Sequence, residues 1–354
     1  MAEKVNPQML VVARESRGLT QALVAEQIGV NQATLSKYES GLLNVADDDL
    51  AALANFLDFP ISFFFQTDRV CGFGSACFYH RKRARMPVAE LRRIQAWLNI
   101  FRFHTTRLLR GVEVVAENRF LRLDVDEHRG PEEVARLVRQ EWGVPMGPVS
   151  HVVNAVETAG AILLSIPLGT AALDAISQIA PGQPPVIFIN NSVSGDRLRF
   201  TLMHEVGHVI MHQLPSDDME GQADRFAAEY LMPAREIKSS LRNLRLEQLP
   251  ALKLHWKVSM IALVKRAFDL GQLSARRYRS LCTELSSAGW RMHEPVEVPT
   301  EKPAVLGKIL RVHLDQHGYT IAELSKLVNA TENRFSAYLH NSTPTGSPPL
   351  RVVG

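Results

Sequence analysis

The sequence predicts a multidomain protein, mainly α with a small β-sheet (α+β). Three observations carry that prediction. Apolar residues recur at helical spacing over most of both ends of the chain, and short β-rich runs are confined to residues 162–190. A His-Glu-x-x-His pair then stands on a helical stretch soon after the last run. A length of 354 residues leaves room for two to three domains.

The first element expected is a helix from Gln8 to Arg17, closed by Arg17-Gly18-Leu19. Thr20 caps a second, Gln21 to Ile28, with Leu23, Val24 and Ile28 as its buried side. Gly29-Val30 makes the turn, and Asn31 caps a third, Gln32 to Ser40, with Leu35 and Tyr38 inward. Two short helices joined by a glycine-containing turn form a helix-turn-helix, whose second helix enters a DNA major groove N-terminus first. On that reading Gln32, Ala33, Thr34 and Ser36 face base edges and Lys37 meets phosphate, while Gln21 braces Gln32 or reaches a phosphate. The stretch RESRGLTQALVAEQIGVNQATLSKYESG is similar to the phage-repressor (Xre/Cro-like) helix-turn-helix family over Met9 to about Phe59. The resemblance implies a five-helix DNA-binding domain. The alternative is a helical module that keeps the fold for protein contacts.

Charge bears on that choice. Residues 1–60 hold four Lys and Arg against eight Asp and Glu, a net of −4, although phosphate neutralisation supplies most non-specific DNA affinity. Residues 81–110 reverse the balance, with nine basic residues (Arg81, Lys82, Arg83, Arg85, Arg92, Arg93, Arg102, Arg107, Arg110) and one acidic, Glu90. Either a basic helix lies along the DNA backbone, or a solvated face pairs with the acidic first domain. A long helix is expected from Val88 to Glu117, its apolar side packing on the next domain or on another copy of the chain.

Helices follow at Pro131 to Trp142 and Val149 to Ala159, then strands at Ile162 to Ile166, Ala175 to Ile179 and Val186 to Asn190. Ser194 and Asp196 offer helix-start chemistry for the run RFTLMHEVGHVIMH, whose Leu198, Leu202, Val206, Val209 and Ile210 form a core-facing stripe. His204 and His208, one turn apart, lie about 6 Å apart along one helix face, so both can grip a single ion. Glu205 then sits beside any water on that ion. This is the arrangement of zinc peptidases, in which the metal acidifies a water and the Glu takes its proton. A catalytic zinc needs a third protein ligand. His212, eight residues after His204 and so about 12 Å along the helix, is too far to share the ion. Glu220 is better placed, because Leu214, Pro215 and Ser216 break the helix and a second helical run begins near Asp218. Asp224, one turn later, faces the same way and can orient a ligating imidazole.

These residues, with the ending ADRFAAEYLMP, resemble the ImmA/IrrE metallopeptidases, closely from Val186 to Pro233 and more loosely from Val149 to Trp290. The resemblance implies a zincin-like domain in which His204, His208 and Glu220 hold the metal and Glu205 is the general base. It also implies a substrate class, because described members cut partner DNA-binding repressors and so release genes of mobile elements or of the DNA-damage response.

Beyond Pro233 helices are expected at Ala234 to Leu244, Leu246 to Trp256, Ser259 to Leu270 and Ser274 to Ser287, with Trp256 and Trp290 in the core. A proline-punctuated linker then leads to Leu306 to His317, Thr320 to Val328 and Thr331 to Leu339. This trio has the lengths and the Gly318 of a second helix-turn-helix, but no glycine turn between its last helices and no basic residues at base-reading positions, which favours protein contact. The tail NSTPTGSPPLRVVG is expected to be disordered.

Composition, 46% hydrophobic and 22% charged, is that of a globular chain, and the sequence shows neither a signal-peptide pattern nor an uninterrupted membrane span. Three cysteines, Cys71, Cys77 and Cys282, fit a reducing compartment, and Cys71 and Cys77 with His80 lack the ligand count of a metal site. A cytoplasmic protein is expected, divided into a helix-turn-helix domain (1–67), a basic linker helix (68–120), a metallopeptidase domain (121–245), a helical extension (246–294) and a small helical unit with its tail (295–354).

Two functions remain open. One is a transcriptional regulator with a metal-dependent endopeptidase domain, holding Zn2+ or possible Mn2+, that cuts a partner repressor or itself. The other is a non-proteolytic repressor or antitoxin-like regulator, in which the peptidase fold senses or binds a partner such as a toxin-like protein. Double-stranded operator DNA and a second copy of the chain are the remaining partners expected. Tyr230, His212 and Arg235 are the candidates for stabilising an oxyanion.

Overall fold

Side-chain caps set the first elements. Asn6, Thr20 and Asn31 accept hydrogen bonds from the backbone amides of Gln8, Leu23 and Thr34, starting α1 (Pro7–Ser16), α2 (Gln21–Gln27) and α3 (Gln32–Glu39). The protein is described here by a computed structural model, over residues 4–71, 86–168, 170, 173–179, 182–212, 217–339 and 350–352. Gly29 makes the turn between α2 and α3 at a φ of 76°, a left-handed conformation that glycine adopts without steric cost. The buried side of α2 is Val24 and Ala25, whereas Leu23, expected inward, is 42% exposed. At seven residues the helix is too short to bury more than one narrow stripe, and its neighbours take the 24–25–28 edge.

Next come α4 (Asp47–Leu57) and a 3-10 turn at Ile61–Phe65, and the fifth helix of the domain is α5 (Val88–Leu108). Ala96, Ile100 and Phe103 of α5 join the core of Met9, Leu35, Leu53 and Phe63. That packing assigns at least this part of α5 to the N-terminal core. Its apolar stripe closes the N-terminal core, and Trp97 Nε1 donates to Ser16 O at 2.6 Å. Among the described residues of the basic run, Arg107 pairs with Asp68, Arg93 lies 4.0 Å from Glu90, and Arg102 donates to Arg69 O. Arg81, Lys82, Arg83, Arg85, Cys77 and His80 lie outside the described residues.

The described chain divides into two compact units, one of residues up to Val114 and from Leu306 onward, the other spanning Val115–Val305. The first stretch ends at β1 (Val112–Val114). The second unit holds α6 (Pro131–Glu141), α7 (Val152–Thr158) and a three-stranded sheet of β2 (Ile162–Ile166), β3 (Ala175–Gln178) and β4 (Val186–Asn190). Sheet order is β2-β4-β3, with β2 parallel and β3 antiparallel to the central β4, so β3 is an edge. Then follow α8 (Gly195–Met211), α9 (Met219–Leu231), α10 (Ala234–Ile237), α11 (Leu249–Trp256), α12 (Met260–Asp269) and α13 (Ala275–Ser287) around one large core. Trp256 is buried in that core and Trp290 packs against it. No described helix is long and apolar enough to cross a membrane.

Buried ion pairs hold the ends of α8 and α9. Lys253, 3% exposed, reaches Asp196 of α8 at 2.7 Å and Glu294 at 2.6 Å. Arg199, fully buried in α8, pairs with Glu301 and donates to Val149 O. At the far end of α9, Glu229 takes Arg136 and Arg266. Removing one partner of such a pair would leave an uncompensated buried charge, which makes these contacts rigid fixtures.

The chain then returns to the first unit through α14 (Val305–Arg311), a π-helical turn (Val312–Gln316), α15 (Ile321–Leu327) and α16 (Glu332–Leu339), with β5 (Leu350–Val352) antiparallel to β1. Here the structure shows an internal repeat. Helices α15 and α16 stand 300 residues after α2 and α3 at both ends of each, as Gln21 to Ile321 and Gln32 to Glu332 attest. The N-caps Thr20 and Thr320 correspond, as do Gly18 and Gly318 at φ 66° and 71°. Leu35 matches Phe335 and Tyr38 matches Tyr338, all buried. The missing turn glycine is replaced by Asn329, at φ 56° against 76° for Gly29. Asparagine tolerates that conformation, so the turn survives without glycine.

The second copy is anchored on the first. Arg334 donates to Leu57 O (3.1 Å), Asp58 O (2.7 Å) and Asp58 Oδ2 (3.0 Å), and lies 4.1 Å over the Phe59 ring. It thereby satisfies carbonyls left open at the end of α4. Replacing Arg334 with Ala is expected to cost about 1.5–3 kcal/mol, the range for hydrogen bonds to a charged group, seen as a lower denaturation midpoint. An unchanged midpoint would count against the anchor.

Candidate metal centre

The site is built where α8 and α9 cross. Gly207, inside the His-Glu-x-Gly-His run, lets them meet: a Cβ there would stand 3.1 Å from Phe226 Cδ1 and 3.4 Å from Ala223 Cα. This close approach carries the N-terminal turns of α9 onto the polar face of α8. His204 Nε2 and His208 Nε2 are 3.1 Å apart, and the Glu220 carboxylate lies 3.6 Å from the first through Oε2 and 3.3 Å from the second through Oε1. Two ligands on one tetrahedral ion with bonds near 2.05 Å are separated by about 3.3 Å, so all three distances suit a single divalent cation. Among the described residues this is the one group of three or more such donors that could hold a metal ion.

Each imidazole is held from behind. Asp224 Oδ1 is 2.8 Å from His204 Nδ1, and a carboxylate only accepts, so Nδ1 carries the proton and Nε2 faces the donor cluster. His208 Nδ1 is 2.8 Å from His212 Nδ1, and His212 Nε2 is 2.8 Å from Gln222 Oε1. Burial lowers the pKa of His204, but hydrogen bonds to Asp224 and Glu220 and the charge of Glu205 outweigh it and raise the value to about 9. Acidic surroundings that stabilise an imidazolium stabilise a divalent ion by the same attraction. For His212 burial dominates and lowers the value to about 4, with Gln222 opposing and the neighbouring imidazoles adding to the fall.

Glu205 is fully buried, and its Oε2 accepts from Ser177 N (2.9 Å) and Ser177 Oγ (2.7 Å). Thus the edge strand β3 holds the carboxylate next to His204. Ser177 was missed in the sequence, where its only signal is a polar pair, Ser177-Gln178, inside an otherwise apolar run. Of the oxyanion candidates, Tyr230 is set in the core between Trp142 and Phe226, where burial raises its hydroxyl pKa. His212 is engaged with His208 and Gln222, and Arg235 is exposed.

On α3, Gln32, Ala33, Ser36 and Lys37 are exposed, while Thr34 is half-buried with its hydroxyl 3.0 Å from Asn31 Oδ1. Gln21 is half-buried. Its Nε2 donates to Glu39 Oε2 at 2.7 Å, because Glu39 is already fixed by Arg14 at 2.6 Å and presents a stronger acceptor than a neutral amide.

Fold and donor set together define a helix-turn-helix domain joined to a metallopeptidase-type domain. Residues 12–64 match the helix-turn-helix family model, and residues 156–268 match the peptidase family model described as IrrE N-terminal-like domain. No curated protein and no solved structure matches the chain.

Replacing Gly207 with Val should force α9 from α8 and spread the donors. We expect at least tenfold weaker zinc binding by chelator competition, together with a loss of about 1–3 kcal/mol of stability from overpacking. Undiminished affinity would detach the helix approach from the metal site.

Proposed function

We propose that the protein is a DNA-binding transcriptional regulator whose second domain is a metal-dependent endopeptidase, cutting a partner repressor or its own chain to derepress genes. The observation that carries this reading is the spacing of His204, His208 and Glu220, which suits one divalent ion. Zinc held there, or manganese in its place, supplies Lewis acidity for a peptide carbonyl and for water. Glu205 accepts a proton from the attacking water and delivers it to the leaving amine. Ser177 keeps the Glu205 carboxylate in one orientation, and Asp224, bonded to Nδ1 of His204, would leave Nε2 free to hold a bound ion.

The helix-turn-helix provides the address. Gln32, Ala33, Ser36 and Lys37 offer an exposed face for base edges and phosphate, with Thr34 at its margin. A homodimer, placing two such helices on the half-sites of an operator, and a cytoplasmic location follow from that role.

One observation favours the second reading, a non-proteolytic regulator whose peptidase fold binds a partner in the manner of an antitoxin. Glu205 has no solvent exposure, and one of its oxygens is already committed to two donors on β3. An enclosed carboxylate with one oxygen so committed suits a buried anchor as well as a base.

Incubating the zinc-loaded protein with the product of a neighbouring gene, followed by mass spectrometry, separates the readings: discrete cuts support the endopeptidase, and an intact stable complex supports the scaffold. Glu205→Gln should keep zinc but slow cleavage by about 10²–10⁴-fold, the usual contribution of a general base. Cleavage at the wild-type rate would remove Glu205 from the mechanism. The Gln32→Ala, Ala33→Glu double variant should lose operator preference by about 1–3 kcal/mol per lost base contact in a binding titration. An unaltered preference would move base reading away from α3.

A further inference from the structure

We propose that His212 is a positioning residue for the metal centre, fixing the proton on Nδ1 of His208 through a relay that ends at Gln222. The inference rests on the metal-site reading above and assigns a role to a residue that lies too far along α8 to be a ligand.

Three groups stand in sequence: His208 Nδ1 to His212 Nδ1 at 2.8 Å, then His212 Nε2 to Gln222 Oε1 at 2.8 Å. The Gln222 carbonyl oxygen only accepts, so His212 must donate through Nε2. A neutral imidazole with its proton on Nε2 has a bare lone pair on Nδ1. His208 must therefore donate from Nδ1, and its own Nε2 is left as the lone pair that faces Glu220 and His204. The opposite amide orientation of Gln222 would reverse every proton in the relay. It would place a hydrogen on Nε2 of His208, where the ion is to be bound.

The two imidazoles are thus oriented by unlike partners. His204 uses the carboxylate of Asp224, whose side chain is 63% exposed. His208 is 1% exposed, and a carboxylate behind it would be a buried charge, which is costly without a cation. A neutral histidine passes the hydrogen bond outward to Gln222, which is half-buried, without introducing one. Because Gln222 stands on α9, the relay also ties the end of α8 to the helix that carries Glu220.

The test uses the full chain with zinc alone as the probe. Chelator competition should show His212→Leu binding zinc 10–100-fold more weakly than wild type, the usual effect of losing the partner that orients a ligand. His212→Asn, whose side-chain oxygen can take the place of Nδ1 as acceptor, should recover to within about threefold of wild type by the same reasoning. Nitrogen-15 NMR of zinc-loaded wild type should show His208 protonated on Nδ1, with that hydrogen-bonded signal lost in His212→Leu. Should His212→Leu fail to fold, Gln222→Met removes the far acceptor from a half-buried position and should weaken zinc binding in the same direction. If wild type binds zinc and both His212→Leu and Gln222→Met bind it equally well, the relay is refuted and the metal site stands. If wild type itself binds no zinc, the metal-site reading falls and takes this inference with it.

Discussion

The crossing of α8 and α9 is the constraint on which the rest of the second unit depends. Because residue 207 has no side chain, Phe226 and Ala223 press directly against α8. That contact places Glu220, Gln222 and Asp224 of α9 opposite His204, His208 and His212 of α8. Each of these polar groups is fully or partly removed from water, which is unfavourable unless a partner replaces the lost hydration. The arrangement is favoured because almost every group has such a partner and because both helices pack into the surrounding core. Lys253 and Arg199 at the start of α8, with Glu229 at the end of α9, hold the pair by buried charges. The candidate metal face is therefore carried on two helices pinned at their ends by ion pairs.

The first unit is ordered by repetition. A second helix-turn-helix at a constant spacing of 300 residues packs against the first and against α5. The two copies have diverged where they face outward and agree where they face inward. Tyr38 bonds Asp49 on α4, whereas Tyr338 meets Thr105 on α5. At the positions of Gln21, Gln32 and Lys37 the second copy has Ile321, Glu332 and Ala337, which removes the cation and the polar group suited to DNA. Arg334 is turned instead onto the end of α4. In chain order the peptidase-type domain is inserted between the two halves of this unit.

Much of this was legible because short-range chemistry is written locally. Caps at Thr20 and Asn31, the turn at Gly29 and the four-residue spacing of His204 and His208 depend on residues within a turn or two of one another. Glu220 and Asp224 could be chosen from the break after α8 and the periodicity of the next helix. The misjudged residues share a different dependence. Leu23 looked as buried as Val24, and the stripe of α5 did not say which core it would join. Gln21 was read as a possible brace for Gln32, and in the fold its side chain donates to Glu39, which Arg14 already fixes.

By itself the chain of residues pointed to most of the helices, the three strands of the central sheet, a candidate set of metal donors and two helix-turn-helix patterns, since each follows from periodicity, capping and side-chain chemistry along a single stretch. Only the folded molecule decided that Ser177 secures Glu205, that His212 and Gln222 stand behind His208, and that Arg334 closes the end of α4. Those contacts join groups on different elements, up to 277 residues apart for Arg334 and Leu57. The physical reason is that a hydrogen bond is decided by distances of a few tenths of an ångström, and such distances exist only once the core has set the helices and strands against one another.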